Sequence, residues 1–253
     1  MQNLRRMYRL FGLTGHCVLG MVLTLLWGRY QPNGLPTARF AQITRWWLQR
    51  AGRIVGLRVS VTGQAQAGAL LTANHISWLD ILVLGGHAPL SFLSKAEVGR
   101  WPVIGWLARR AGTLFIQRGA QHTTAMATQH IVQRLRHGGA VAIFPEATTS
   151  DGRSVRHFHP RLFAAAQEAP AVIQPVALSY PALANGQPSP APFIDDDQFF
   201  PHVWRVLGAA LIPVRVEFLP PLAVDGQPRR ELAEMAQTRV ASALAKCIAG
   251  SSA

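Results

Sequence analysis

His75 and Asp80 stand five positions apart in Ala73-Asn74-His75-Ile76-Ser77-Trp78-Leu79-Asp80, among neighbours that otherwise read as core. Burying an imidazole and a carboxylate is expensive unless they pair, so the two either form a structural bridge or handle a proton. A carboxylate bonded to one ring nitrogen fixes the tautomer and leaves the other nitrogen basic, which is what a general base requires. On a continuous helix the two side chains would point about 140° apart and could not meet. Ser77-x-x-Asp80 has the pattern of a capping box that starts a helix at Trp78. Asp80 would then lie in the first turn and point back toward a loop holding His75.

The surrounding pattern supplies elements able to hold such a loop. Leu57, Val59 and Val61 alternate with Arg58, Ser60 and Thr62, and short apolar runs follow at 69–73, 90–93, 113–117, 140–144, 171–179 and 214–218. Helical spacing lies between them at 101–110, 123–136 and 161–168, and an amphipathic helix over 229–249 closes the chain. A short helix after Ile81 is expected to stop at Gly85-Gly86. This alternation predicts an α/β domain with a mixed, largely parallel sheet flanked by helices. The Pro-rich stretch 181–201 reads as a loop, with Asp195-Asp196-Asp197 as a solvated acidic turn rather than a metal site.

Residues 1–55 differ from this domain, which is expected over 56–253. Arg5, Arg6 and Arg9 precede an apolar run from Leu10 to Trp27, about 27 Å long as a helix. A single membrane span, a helix within one leaflet and a signal peptide compete for it; no small-x-small cleavage site follows, which favours retained attachment. Thr37 to Arg53 sets Phe40, Ile43, Trp46 and Trp47 among Arg39, Arg45 and Arg50, as in a helix at headgroup level or one packed on the main domain. The whole chain has 253 residues, 25 Lys and Arg against 12 acids, a net charge of +13 and 49% apolar residues. That combination points to an anionic membrane surface through residues 10–50 rather than to nucleic acid, for which no motif is present. Cys17 and Cys247 form no metal or redox motif.

Asn74-His75-x-x-x-x-Asp80 resembles the NHxxxxD motif of the glycerolipid acyltransferases of the lysophosphatidic acid acyltransferase type. Gly112 to Arg118 looks like that family's GxxFIxR element, Phe144 to Ser150 like its FPEGTRS element, and Val172 to Val176 like its final proline-containing strand. Four short motifs in the family's order carry weight that none has alone. The resemblance implies a membrane-bound O-acyltransferase moving an acyl group from acyl-CoA or acyl-carrier protein to the free hydroxyl of a lysolipid of the 1-acylglycerol-3-phosphate type, with a lyso-ornithine lipid acceptor or an inactive membrane-binding scaffold of the same fold as the alternatives. It makes His75 the general base and Asp80 its orienting partner. Asn74, Phe115, Arg118, Glu146, Thr148 and Thr149 become substrate-binding positions, and no metal or cofactor is needed. Arg118 would meet an anionic headgroup; Glu146 is expected either in acceptor binding or paired to Arg118 or Arg153. Lys95 and Glu97 resemble a family element or form a surface ion pair. The cytoplasmic face of the inner membrane is the expected location.

Two positions depart from the FPEGTRS pattern. Ala147 stands where the family has glycine, so a left-handed backbone there would be strained. Thr149 replaces the arginine, removing one partner for a phosphate. The resulting Phe144 to Gly152 segment more closely resembles the FPEGTTSDG form of lyso-ornithine lipid acyltransferases, with Arg153, Arg156 and Arg161 nearby.

Overall fold

The computed structural model describes residues 1–116, 121–169, 171–194 and 196–249. Its centre is a seven-stranded sheet in the order β1-β7-β6-β2-β5-β3-β4. The strands are β1 (Leu57–Thr62), β2 (Leu70–Ala73), β3 (Leu90–Lys95), β4 (Leu114–Ile116), β5 (Ala140–Ile143), β6 (Ile173–Ser179) and β7 (Ile212–Phe218). From β6 through β2, β5 and β3 to β4, every neighbouring pair is parallel. β7 runs antiparallel to β6, and β1 parallel to β7. The predicted mixed, largely parallel sheet is therefore present.

Burial follows from position in the sheet. β2, β5 and β6 are buried along their whole lengths, as central strands covered on both faces must be, and they are mostly apolar. Successive side chains of β2 feed opposite cores. Leu71 packs with Val55, Leu79, Leu84, Val206 and Leu207, whereas Leu70 packs with Ile131, Phe158, Phe163 and Val240. The helices that make these layers are α2 (Ala38–Val55), α3 (Leu79–His87) and α8 (Phe199–Gly208) on one face, and α6 (Gln121–Arg136), α7 (Ala164–Glu168) and α9 (Arg229–Ala249) on the other. Helices α4 (Ala96–Gly99) and α5 (Ile104–Arg110) lie between β3 and β4 in the chain, and α1 (Gln2–Trp27) opens it.

Several details differ from the sequence expectation. Gly85-Gly86 does not end α3, which continues to His87. The two glycines instead let α2 approach: a Cβ on Gly86 would lie 3.0 Å from the Gln49 backbone, and one on Gly85 only 2.5 Å from Leu48. The stretch read as a loop gives way to α8, whose Pro201 sits in the first turn, where a missing N–H costs no helical bond. Asp197 is not simply solvated; both its oxygens accept from the Arg205 guanidinium, at 2.9 and 2.7 Å, and that bonding holds its carboxyl below the usual range. Asp195 lies outside the described residues.

The N-terminal arginines also have partners within the protein. Arg5 donates to the Gly208 carbonyl, Arg6 to Trp204, and Arg9 to Leu207, Ala209 and Ala210. They cap the C-terminal end of α8, where unpaired carbonyls concentrate negative charge. Further along α1, His16 Nε2 lies 2.9 Å from the Trp47 carbonyl and Trp47 Nε1 donates back to the His16 carbonyl at 2.8 Å, with the rings stacked. Arg39 of α2 covers the Trp27 ring, and the Tyr30 hydroxyl donates to the Arg110 carbonyl at the end of α5.

Candidate active site

The parallel strands β2 and β5 end on the same edge of the sheet, so the residues that follow them converge there, as ligand sites do in open α/β sheets. After β2 comes His75; after β5 come Phe144 and Glu146. His75 Nδ1 lies 2.8 Å from Asp80 Oδ2, with Asp80 wholly buried and the His75 side chain 20% exposed. The same carboxylate oxygen accepts from the backbone N–H groups of Ile76 at 2.8 Å and Ser77 at 3.0 Å. Tyr180, just beyond β6, donates its hydroxyl to Asp80 Oδ1 at 2.7 Å. Burial first, then the Asp80 charge, push the Tyr180 phenol well above its ordinary value, so it remains a donor.

This arrangement fixes the tautomer. Asp80 faces donors on both oxygens and sits in the first turn of α3, where the helix N-terminus favours an anion. An ionised carboxylate only accepts, so His75 Nδ1 carries the proton and Nε2 keeps its lone pair. Phe144 stacks on the imidazole at a centroid distance of 4.0 Å and an interplanar angle of 17°. The ring is thus held by a carboxylate at one nitrogen and an aromatic face along its plane, with Nε2 able to take a proton from a substrate hydroxyl.

Only half of the expected capping box forms. Asp80 reaches back to the Ser77 N–H, but Ser77 Oγ has no hydrogen-bond partner among the described residues and Trp78 occupies the cap position. The geometric purpose expected of that pattern is achieved all the same: Asp80 turns toward the loop before α3.

Comparison with known proteins shows the family to which the chain belongs. Residues 57–179 match the family described as Acyltransferase. The chain is 43% identical to a lyso-ornithine lipid O-acyltransferase of Pseudomonas aeruginosa, over 96% of this chain and 95% of that protein. The chain belongs to the acyltransferase family. A 1-acyl-sn-glycerol-3-phosphate acyltransferase of Neisseria meningitidis is 35% identical over 60% of this chain and 59% of its own. The crystal structure of the 1-acyl-sn-glycerophosphate acyltransferase PlsC from Thermotoga maritima shares the fold, with a TM-score of 0.75, 19% identity and 98% coverage of both chains.

In this acyltransferase the other residues singled out by sequence fall into distinct places. Asn74 is wholly buried and exchanges two hydrogen bonds with the Leu178 backbone, 3.0 Å from Nδ2 to the carbonyl and 2.8 Å from the N–H to Oδ1. It extends the β2–β6 pairing into the loop that carries His75. Glu146, 3% exposed, accepts from the His75 N–H at 3.2 Å through Oε1, while Oε2 has no partner among the described residues. Burial pushes its carboxyl up to about 7, although the backbone N–H groups of His75 and Arg156 pull the other way. The alternative pairing with Arg153 does not form; that arginine, almost fully exposed, faces Asp151 at 3.8 Å. No ion pair joins Lys95 and Glu97 among the described residues.

Ala147 has φ 59°, the left-handed conformation anticipated for the family's glycine position, and it is the one non-glycine residue with positive φ among those described. Thr148 is exposed at the turn, and the Thr149 hydroxyl donates to the Phe193 carbonyl. The Ser150 N–H donates to the His75 carbonyl at 2.8 Å, tying this segment to the loop that carries His75. Phe115 lies in edge strand β4, beneath the Arg109 guanidinium and against Gly99. Arg118 lies outside the described residues.

Sequence reading missed Phe144 and Tyr180 as site residues. Each follows the C-terminal end of a strand adjacent to β2, the edge to which His75 also belongs. That shared position was the available signal, but using it required the strand order.

Proposed function

We propose that this acyltransferase esterifies the free hydroxyl of a lyso-ornithine lipid, using a thioester donor, either acyl-CoA or acyl-carrier protein. His75 Nε2 removes the hydroxyl proton as the oxygen attacks the thioester carbonyl. The tetrahedral intermediate collapses to the ester, and the departing thiolate takes the proton back from the imidazolium. Asp80 holds the imidazole in the required tautomer and stabilises its cation, and Tyr180 is a positioning residue acting through Asp80. The step needs no metal or cofactor because a thioester is already an activated acyl group.

The observation that carries the general-base assignment is the carboxylate bonded to Nδ1, with donors on both its oxygens. Preference for the ornithine headgroup rests on the 43% identity spanning nearly both chains, together with Thr149. Its hydroxyl is engaged by the Phe193 carbonyl, where the glycerol-phosphate family pattern carries a phosphate-binding arginine. Purified protein supplied with labelled acyl donor is expected to acylate lyso-ornithine lipid in preference to 1-acylglycerol-3-phosphate. His75→Ala is expected to lower that rate by about a hundredfold or more. Equal rates on the two acceptors would remove the argument from Thr149; full activity without His75 would remove the general base.

The acceptor is an amphiphile, and α1 is long and apolar enough to cross a membrane. We infer that α1 instead lies along one leaflet, on the cytoplasmic face of the inner membrane. Arg5 and Arg9 hold its beginning to α8, and Tyr30, just beyond its end, is bonded to α5. A helix about 39 Å long with both ends tied to one folded domain runs along that domain rather than away from it.

A further inference from the structure

We propose that α8 is a second lipid-contacting element, inserted beside α1, and that its aromatic residues join the bilayer surface to the catalytic loop. The proposal rests on the lipid-acceptor reading above and deepens it by assigning the surface that receives the bilayer.

Phe200 is 80% exposed and Trp204, one turn further along α8, is 40% exposed. They share one face of the helix because residues four apart are neighbours. A phenylalanine left this open on a soluble surface has no water-side purpose, whereas tryptophan and phenylalanine at a membrane interface bury apolar area while remaining near headgroups. The surface is continuous with α1. Arg6 lies over the Trp204 ring at 5.3 Å and donates to its carbonyl, and the α1 turns carrying the three capping arginines expose Leu4, Met7, Tyr8 and Phe11. Exposed Val103 and Ile104, at the start of α5, extend the apolar character next to Trp101.

The inner side of α8 leads to the site. Phe199 packs edge-on against Trp101 at 4.7 Å and against Trp78 at 5.6 Å, and Phe200 packs against Phe199. Trp78 begins α3, three residues after His75. Its indole N–H donates to His202 Nδ1 at 3.0 Å, and His202 Nε2 is held by the Ala191 and Pro192 carbonyls at 3.1 and 3.0 Å. Phe193 donates its N–H to the Ile76 carbonyl at 3.0 Å. The helix exposing Phe200 is therefore fastened to the loop carrying His75. A lipid held at this surface meets a short aromatic path to the base, which suits an acceptor whose chain stays in the leaflet while its hydroxyl reaches Nε2.

The occupant is a bilayer surface rather than a second protein, because the neighbouring exposed face belongs to the one helix long and apolar enough for a membrane among the described residues. The net charge of +13 further favours an anionic bilayer.

The test uses the full chain with Cys17 and Cys247 replaced by serine and an environment-sensitive fluorophore attached after Phe200→Cys. On vesicles of phosphatidylethanolamine and phosphatidylglycerol the emission is expected to shift to the blue, whereas the same label attached after Asp225→Cys is expected to stay water-like. In parallel, Phe200→Ser/Trp204→Ser is expected to lose about tenfold in kcat/KM on lyso-ornithine lipid presented in vesicles, while still unfolding in a single cooperative thermal transition. On a short-chain acceptor below its critical micelle concentration, its rate is expected to match the parent. A label at position 200 that stays water-like with vesicles, or a parental kcat/KM for the double variant on vesicles, overturns the proposal. If the parent acylates neither acceptor, the catalytic reading fails while the fluorescence still decides the surface.

Discussion

A carboxylate with donors on both oxygens leaves its histidine one useful tautomer, and Tyr180 supplies the donor that comes from farthest away in the sequence. Removing that hydroxyl leaves Asp80 Oδ1 without its partner in a buried site, a loss of about 1–3 kcal/mol for a bond to a charged group. Tyr180→Phe is therefore expected to lower kcat about tenfold with KM little changed. The loss acts through the orientation of Asp80 and hence of the His75 ring. A purely structural tyrosine would lower Tm and leave kcat in place. Glu146 gives a separate pH dependence. Its carboxyl is raised from 4.5 to about 7 by burial, so between those values the folded chain keeps a proton that the unfolded chain has released. Stability is then lost as pH rises through this window, by about 3 kcal/mol at most, and the loss is complete above about 7. Glu146→Gln is expected to flatten that part of the curve, measured as denaturation midpoint against pH.

At the scale of elements, the strands announced themselves because apolar runs of the right length recur between helical patterns, and all seven formed close to the expected positions. Helix α8 did not, because Phe199-Phe200-Pro201 ends a Pro-rich stretch and its apolar face is divided between the core and the surface. Gly85-Gly86 misled for a related reason: a glycine pair signals a break locally, whereas here its purpose is the approach of α2, visible only in three dimensions. In the site, the His75–Asp80 pair lay within one short segment, but the Tyr180 contact spans 100 residues and could not be read from spacing. The α1–α2 junction offers a paired test of packing. A Cβ on Gly20 would fall 2.6 Å from Trp47 Nε1, on a ring already stacked with His16, whereas one on Gly15 would meet nothing within 4 Å. Gly20→Ala is expected to cost about 1–3 kcal/mol by overpacking. Gly15→Ala is expected to be neutral or to stabilise by up to about 1 kcal/mol. Chemical denaturation of the two variants in one detergent distinguishes them, and equal behaviour would mean that Trp47 moves freely.

For the whole molecule, the decisive relation is between the apolar helix and the domain to which it is fastened. Length and hydropathy alone permit α1 to span, and its exposed Leu25, Leu26, Val18 and Val22 would suit lipid in either orientation. The contacts support the in-plane reading proposed above: Arg5, Arg6 and Arg9 spend their guanidinium donors on α8 carbonyls, while Tyr30 and Trp27 are engaged by α5 and α2. A spanning helix would have to abandon one set of contacts and expose the carbonyls at that end. Thiols introduced by Asn3→Cys and Asn33→Cys, in a chain with Cys17 and Cys247 replaced, are thus expected to react with a membrane-impermeant reagent from the same side of sealed vesicles. Reaction from opposite sides would mean that α1 crosses the bilayer and that the arginine caps on α8 open when it does. The proposed in-plane arrangement also makes a chemical demand, since attachment would then depend on apolar burial more than on charge. Salt at about 1 M, where screening extends only about 3 Å, should leave the protein on the membrane, and detergent should release it.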